Sequence, residues 1–135
     1  MNLPLTGGCV CGAIRYEISA EPTFMFKCHC RDCQRLSGAP FVGVVYVPKT
    51  AFCWTKGTIR HHFTDSAKGK PHQRGFCAEC GSRISGGESD KGIGVTVGTL
   101  DDSSFFRPQM NIWVSYACSW DAIEKDIPAY EQYPS

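Results

Sequence analysis

The sequence predicts a mainly-β domain. Three observations lead there. Apolar and polar residues alternate with a period of two in several short runs. Turn residues interrupt the chain about every eight to twelve positions, the rhythm of an all-β protein. Helix signals are few and short.

Each element follows from its own residues. In AIRYEIS, residues 13–19, Ile14, Tyr16 and Ile18 share one face while Arg15 and Glu17 take the other. FMF at 24–26 is a strand that leads into a run of cysteines. PFVGVVYVP at 40–48 is rich in valine and aromatic residues and predicts a buried strand. FCW at 52–54 and TIRHHF at 58–63 flank a turn signal at Lys56 and Gly57, which predicts a hairpin. GIGVTVGTL at 92–100 and MNIWVSY at 110–116 predict two more strands. CRDCQRLSG at 30–38 predicts a short helical turn that stops at Gly38. Further helical turns are expected at DSSFF, ahead of Pro108, and at SWDAIEK, with Ser119 as its cap and Pro128 soon after. The tail IPAYEQYPS has no periodicity and is expected to run over the surface, pinned by Tyr130 and Tyr133. With no repeat or linker, residues 1–135 read as a single domain.

Composition removes several function classes. The formal net charge is +1, with no acidic tail and no basic field, so no nucleic acid partner is expected. No window approaches about 18 consecutive apolar residues, so no membrane span is expected. MNLPLTGGC lacks the basic and apolar regions of a signal peptide, which favours a cytoplasmic location. Exposed strand edges leave room for an oligomer.

Cysteine is the outlier, with nine among 135 residues. An odd count in a chain without a secretory signal favours metal binding over disulfides. Seven of the nine fall into three clusters: Cys9 and Cys11; Cys28, Cys30 and Cys33; Cys77 and Cys80. Cys53 and Cys118 stand alone and read as buried apolar fillers. A structural zinc takes four protein ligands, and a catalytic zinc commonly takes three and keeps an open position. The economical partition joins Cys9, Cys11, Cys77 and Cys80 in a structural zinc site. It leaves Cys28, Cys30 and Cys33 as a second, catalytic site with a vacancy. Two alternatives stay open for the triplet. A histidine (His29, His61, His62 or His72) or a fourth cysteine could close it, giving a non-catalytic zinc module for a protein partner. Alternatively, Cys30 and Cys33 could cycle as a redox pair, although the βαβ setting of such pairs is missing. Lys27, Arg31 and Arg35 bracket the triplet. They could offset thiolate charge or hold an anionic substrate.

The order of the motifs carries a resemblance. GGCVCGAIRY, CHCRDCQRLSGAPF, FCAECGSRI and a late NIWVSYACSWDAI together resemble the glutathione-dependent formaldehyde-activating enzyme family, whose domain also occurs in centromere protein V. The resemblance covers nearly the whole chain. It implies an Mss4-like, or β-tent, zinc-binding fold of small antiparallel sheets with a few short helical turns. It implies two zinc ions, on the same two cysteine sets that counting gives. The second ion would be labile or partly occupied, because a thiol substrate competes with cysteine ligands. The implied activity is that of a carbon–sulfur lyase resembling S-(hydroxymethyl)glutathione synthase, which joins glutathione or a similar thiol to formaldehyde or a related small aldehyde. Asn111 stands two residues before Trp113, where many members of the family carry histidine.

Overall fold

The computed structural model describes residues 1–66 and 69–134. Ten strands form in chain order: β1 (Leu5–Gly8), β2 (Arg15–Ile18), β3 (Phe24–Cys28), β4 (Val42–Pro48), β5 (Phe52–Lys56), β6 (Arg60–Thr64), β7 (His72–Phe76), β8 (Arg83–Gly86), β9 (Gly92–Thr96) and β10 (Asn111–Ile112). One α-helix, α1 (Arg31–Ser37), follows β3. Single 3-10 turns occupy Lys49–Ala51, Val97–Thr99 and Val114–Tyr116. Strand accounts for 36% of the chain and helix for 12%, so the mainly-β expectation holds.

The strands make two sheets. One has the order β1-β2-β5; the other has the order β10-β3-β4-β9-β8-β7-β6. Every pairing is antiparallel except β10 with β3. The main core lies between the sheets. Tyr16 and Ile18 of β2 meet Val45 and Val47 of β4, Ile84 of β8, and Ile93 and Val95 of β9. The alternation read at 14–18 is therefore real, with Glu17 exposed. β4 is buried on both faces because Val42 and Val44 pack into a second cluster with Cys28, Cys33 and Ile112. That explains why its sequence is a valine run rather than an alternation. Ile93 has no solvent exposure. Ile93→Ala is expected to cost about 2–5 kcal/mol, because the cavity left there cannot collapse between two sheets. Urea unfolding of the metal-loaded protein measures it.

Several expectations are corrected. No hairpin joins 52–54 to 58–63. Instead β5 pairs with β2, and β6 pairs with β7 in the other sheet. Phe52 and Trp54 are drawn to Tyr16, with ring centroids 5.3 and 6.2 Å from it. Such cross-strand aromatic pairs outweigh the local turn signal. The chain changes sheet at Gly57, whose φ is +78° and where a Cβ would lie 2.2 Å from the Ala13 carbonyl oxygen. Only glycine fits that passage.

DSSFF and SWDAIEK form turns rather than helices. The Asp102 carboxylate accepts from the Ser104 backbone N–H at 2.9 Å, a local bond that competes with helix formation. Glu124 turns its carboxylate to Lys27 and Asn111. MNIWVSY is a strand only at Asn111–Ile112. Trp113 adopts φ +60° and ends it. The tail is held more firmly than expected. Asn111 N–H donates to the Pro128 carbonyl, Tyr130 N–H to Asn111, and Trp113 N–H to Gln132, at 2.9 to 3.0 Å. Tyr130 and Tyr133 also pack on the second cluster, as pins.

Candidate metal centres

The first centre sits where the two sheets meet. Cys9 follows β1 and Cys77 follows β7. The sulfurs of Cys9, Cys11, Cys77 and Cys80 all lie within 4.8 Å of one another. Cys9 to Cys11 is 3.6 Å, and Cys11 to Cys77 is 3.8 Å. A tetrahedron with metal–sulfur bonds of about 2.3 Å needs sulfurs roughly 3.8 Å apart. The four thiols therefore fit a metal ion. Two tight turns build the cluster. Gly12 N–H donates to the Cys9 carbonyl at 3.2 Å, and Gly81 N–H to the Cys77 carbonyl at 2.8 Å. Both glycines have φ near +80°. Ile14 N–H donates to the Cys9 sulfur at 3.2 Å. Ser82 lies 3.2 Å from the Cys80 sulfur, and its hydrogen bonding lowers that thiol to about 5. All nine cysteines are unpaired.

The second centre is built by the end of β3 and the start of α1. Cys28 is the last residue of β3, Cys30 is the N-cap of α1 and Cys33 lies in the first turn. The Cys30 sulfur accepts from the Cys33 N–H at 3.3 Å, which bends both thiols to one side. Again all three sulfurs lie within 4.8 Å of one another. Among the described residues no fourth histidine, cysteine or carboxylate joins the three. His29 points away: it is 1% exposed, and its Nε2 meets Asn111 Oδ1 at 2.7 Å. His61 lies beside Glu88 at 3.6 Å, and His62 is exposed.

The triplet opens on a cleft of about 900 Å³, whereas the four-cysteine centre lies outside it. The cleft floor is one face of the seven-stranded sheet. Arg31 lines the cleft, with Nη1 on Gln34 Oε1. Arg35 is exposed in the last turn of α1. Lys27 lies outside the cleft lining, 2.7 Å from Glu124 and 4.4 Å above the Phe41 ring. Cys53 is exposed rather than buried, and Cys118 is half-buried, 3.8 Å from Gln34 Oε1.

Two cations at the triplet escaped the sequence reading. Arg74, only 4% exposed, places Nη1 3.9 Å from the Cys33 sulfur. Its Nε donates to Thr64 at 2.9 Å, and Asp32 lies 3.7 Å from Nη2. Arg83 also lines the cleft, and its buried Nε and Nη1 have no hydrogen-bond partner. Hydrogen bonds from Cys28 and Cys30, then the Arg83 charge, hold the Cys33 thiol far below its usual range. Cys28, hydrogen-bonded to the other two thiols and buried, is pushed up. The missed signal was in RGFCAECGSRI. Arg74 stands three residues before Cys77 and Arg83 three after Cys80, on the strands that enter and leave the first centre. Those strands carry both arginines to the second.

Residues 4–116 match the family model of the glutathione-dependent formaldehyde-activating enzyme. The chain belongs to this family. Its fold is similar to the crystal structure of a Rhodobacter sphaeroides protein, with a TM-score of 0.60 over 92% of this chain and 98% of that one. The sequences are 17% identical, so that likeness concerns the fold.

Around the triplet of this family member, polar contacts fix the backbone. Gln34 is buried and donates to both the His29 and Tyr116 carbonyls at 2.8 Å. Asn111 bridges His29 to Glu124, whose other oxygen meets Lys27. Lys27 first, then Asn111, lower the Glu124 carboxyl to about 2. His72, beside Arg74 on the cleft floor, is lowered to about 4, first by burial and then by the Arg74 charge. A depressed histidine favours the neutral form in the fold. Its contribution is complete above about pH 6.5 and is lost as pH falls toward 4. His72→Gln is therefore expected to flatten the fall in stability between pH 6.5 and 4 relative to wild type. Denaturant unfolding at matched metal content checks it; identical slopes refute it.

Proposed function

We propose that this protein is a cytoplasmic zinc enzyme that joins a thiol such as glutathione to formaldehyde or a small aldehyde, in the carbon–sulfur lyase class. One observation carries this reading. The set of four thiols is closed and lies away from the cleft, while the set of three faces it with no fourth ligand among the described residues. Four ligands suit a structural zinc, and three suit a catalytic one.

In the reaction the thiol sulfur bonds to the carbonyl carbon. The carbonyl π pair moves to oxygen, and the thiol proton ends there. A zinc at the triplet would supply a Lewis acid and hold an incoming thiol deprotonated at neutral pH. The protein supplies the rest. Cys28, Cys30 and Cys33 fix the position. Arg74 and Arg83 balance the net negative charge of three thiolates on a dication, because both approach Cys33. Gln34 holds the Cys28–Cys33 loop through the His29 carbonyl. Arg31 is placed to meet a substrate carboxylate, with Arg35 on the outer turn of the same helix. Lys27 acts at one remove by fixing Glu124, Asn111 and so His29.

Thiols add to formaldehyde unaided, so the test is kinetic. Formaldehyde loss with glutathione should exceed the uncatalysed rate in proportion to zinc-loaded protein. No excess, with two zinc ions bound, removes this activity.

A further inference from the structure

The cleft carries an apolar wall that glutathione with one added carbon would leave uncovered. Phe24, Phe26 and Cys28 alternate along β3 and so share one face. Phe24 stacks on Tyr46 of β4 with centroids 4.8 Å apart, and meets Phe26 at a tilt, 5.6 Å away. All three rings line the cleft with the triplet. The aromatic wall therefore begins two residues from a metal-ligating cysteine and runs outward. The floor beyond it is kept clear. Gly86 and Gly94 line it, and a Cβ at Gly94 would lie 2.8 Å from the Gly86 carbonyl oxygen. Glutathione has two carboxylates and an ammonium but no apolar side chain, so it gives these rings nothing to bury. At the triplet end of the same cleft, the Arg83 Nε and Nη1 are buried without a partner. Arg83 already offsets the Cys33 thiolate, but two buried N–H groups without a partner are costly, and a carboxylate is their natural complement.

We propose that the substrate is two-ended: an anionic thiol whose carboxylate pairs with Arg83, joined to an aldehyde carrying an aryl or branched alkyl group that lies on Phe24, Phe26 and Tyr46. This rests on the thiol–aldehyde reading above. The bonds change as described there; only the substituent on the carbonyl carbon differs, and the product is a thiohemiacetal.

The test uses stable thioethers, which bind without reacting, and zinc-loaded full-length protein. Calorimetry compares S-benzylglutathione with S-methylglutathione. The benzyl compound is expected to bind about tenfold tighter, the effect of burying one ring. Phe26→Ala should bring that ratio close to one. The diethyl ester of S-benzylglutathione should bind about tenfold more weakly than the acid to wild type, and Arg83→Gln should narrow that ratio, with Arg31 accounting for what remains. The two wild-type ratios need no variant, so a misfolded variant does not spoil the test. Equal affinity for benzyl and methyl compounds overturns the apolar end, and equal affinity for acid and ester overturns the anionic end. If both ratios are near one while formaldehyde and glutathione are still joined faster than background, only this inference fails. If both preferences appear without acceleration of any thiol–aldehyde pair, the binding site stands and the reaction assigned to it does not.

Discussion

Cys77→Ser is expected to unfold the protein at room temperature. Cys77 is 1% exposed and packs in the main core, so its thiol is part of the packing as well as of the proposed zinc site. Its cluster joins the turn after β1 to the turn after β7, and thus ties the three-stranded sheet to the seven-stranded one. Structural zinc sites bind with apparent free energies of about 10–16 kcal/mol at neutral pH. Net stabilities of whole domains are about 5–15 kcal/mol. Loss of the proposed zinc would therefore remove as much free energy as the fold has in hand. Circular dichroism and urea titration read the outcome. A cooperative transition near the wild-type midpoint would show that the four thiols do not carry the fold.

Cys30→Ser is expected to do the opposite: abolish the catalysed rate and leave the fold intact. Cys30 is half-buried at the cleft edge and caps a helix of only seven residues. Serine still caps a helix well, so the cost in stability is about 1 kcal/mol or less. The hydroxyl is a poor ligand, so with only two thiolates left the triplet would not hold the proposed zinc. Acceleration of formaldehyde loss should drop to the uncatalysed rate while the unfolding midpoint barely moves. Unfolding of this variant to the extent expected for Cys77→Ser would show that the two centres share one structural role.

The sequence showed the two cysteine clusters more clearly than the sheets. Cys28, Cys30 and Cys33 lie within six residues, so local spacing alone brings them together. Cys9 and Cys11 needed only counting to be matched with Cys77 and Cys80. The strand alternation of 14–18 and the stop at Gly38, whose φ is +73°, were legible because each depends on near neighbours. What failed depends on distant ones. The turn at Gly57 looks like a hairpin until Tyr16 claims Phe52 and Trp54 for the other sheet. LTGG, HQRGF and RISG carry glycine and charge, so β1, β7 and β8 gave no strand signal. Arg74 and Arg83 reach Cys33 only because β7 and β8 sit in the cleft floor. Lys27, beside Cys28 in sequence, alternates to the other side of β3 and pairs with Glu124. Adjacency along a strand separates side chains as readily as folding unites them.

Metal content tests the division of labour most directly. Elemental analysis of wild type is expected to give about two zinc ions per chain, and Cys30→Ser about one, with the same circular dichroism spectrum. A single ion in the fully loaded wild type, or none in a folded Cys30→Ser, would contradict an account with one closed centre and one open one.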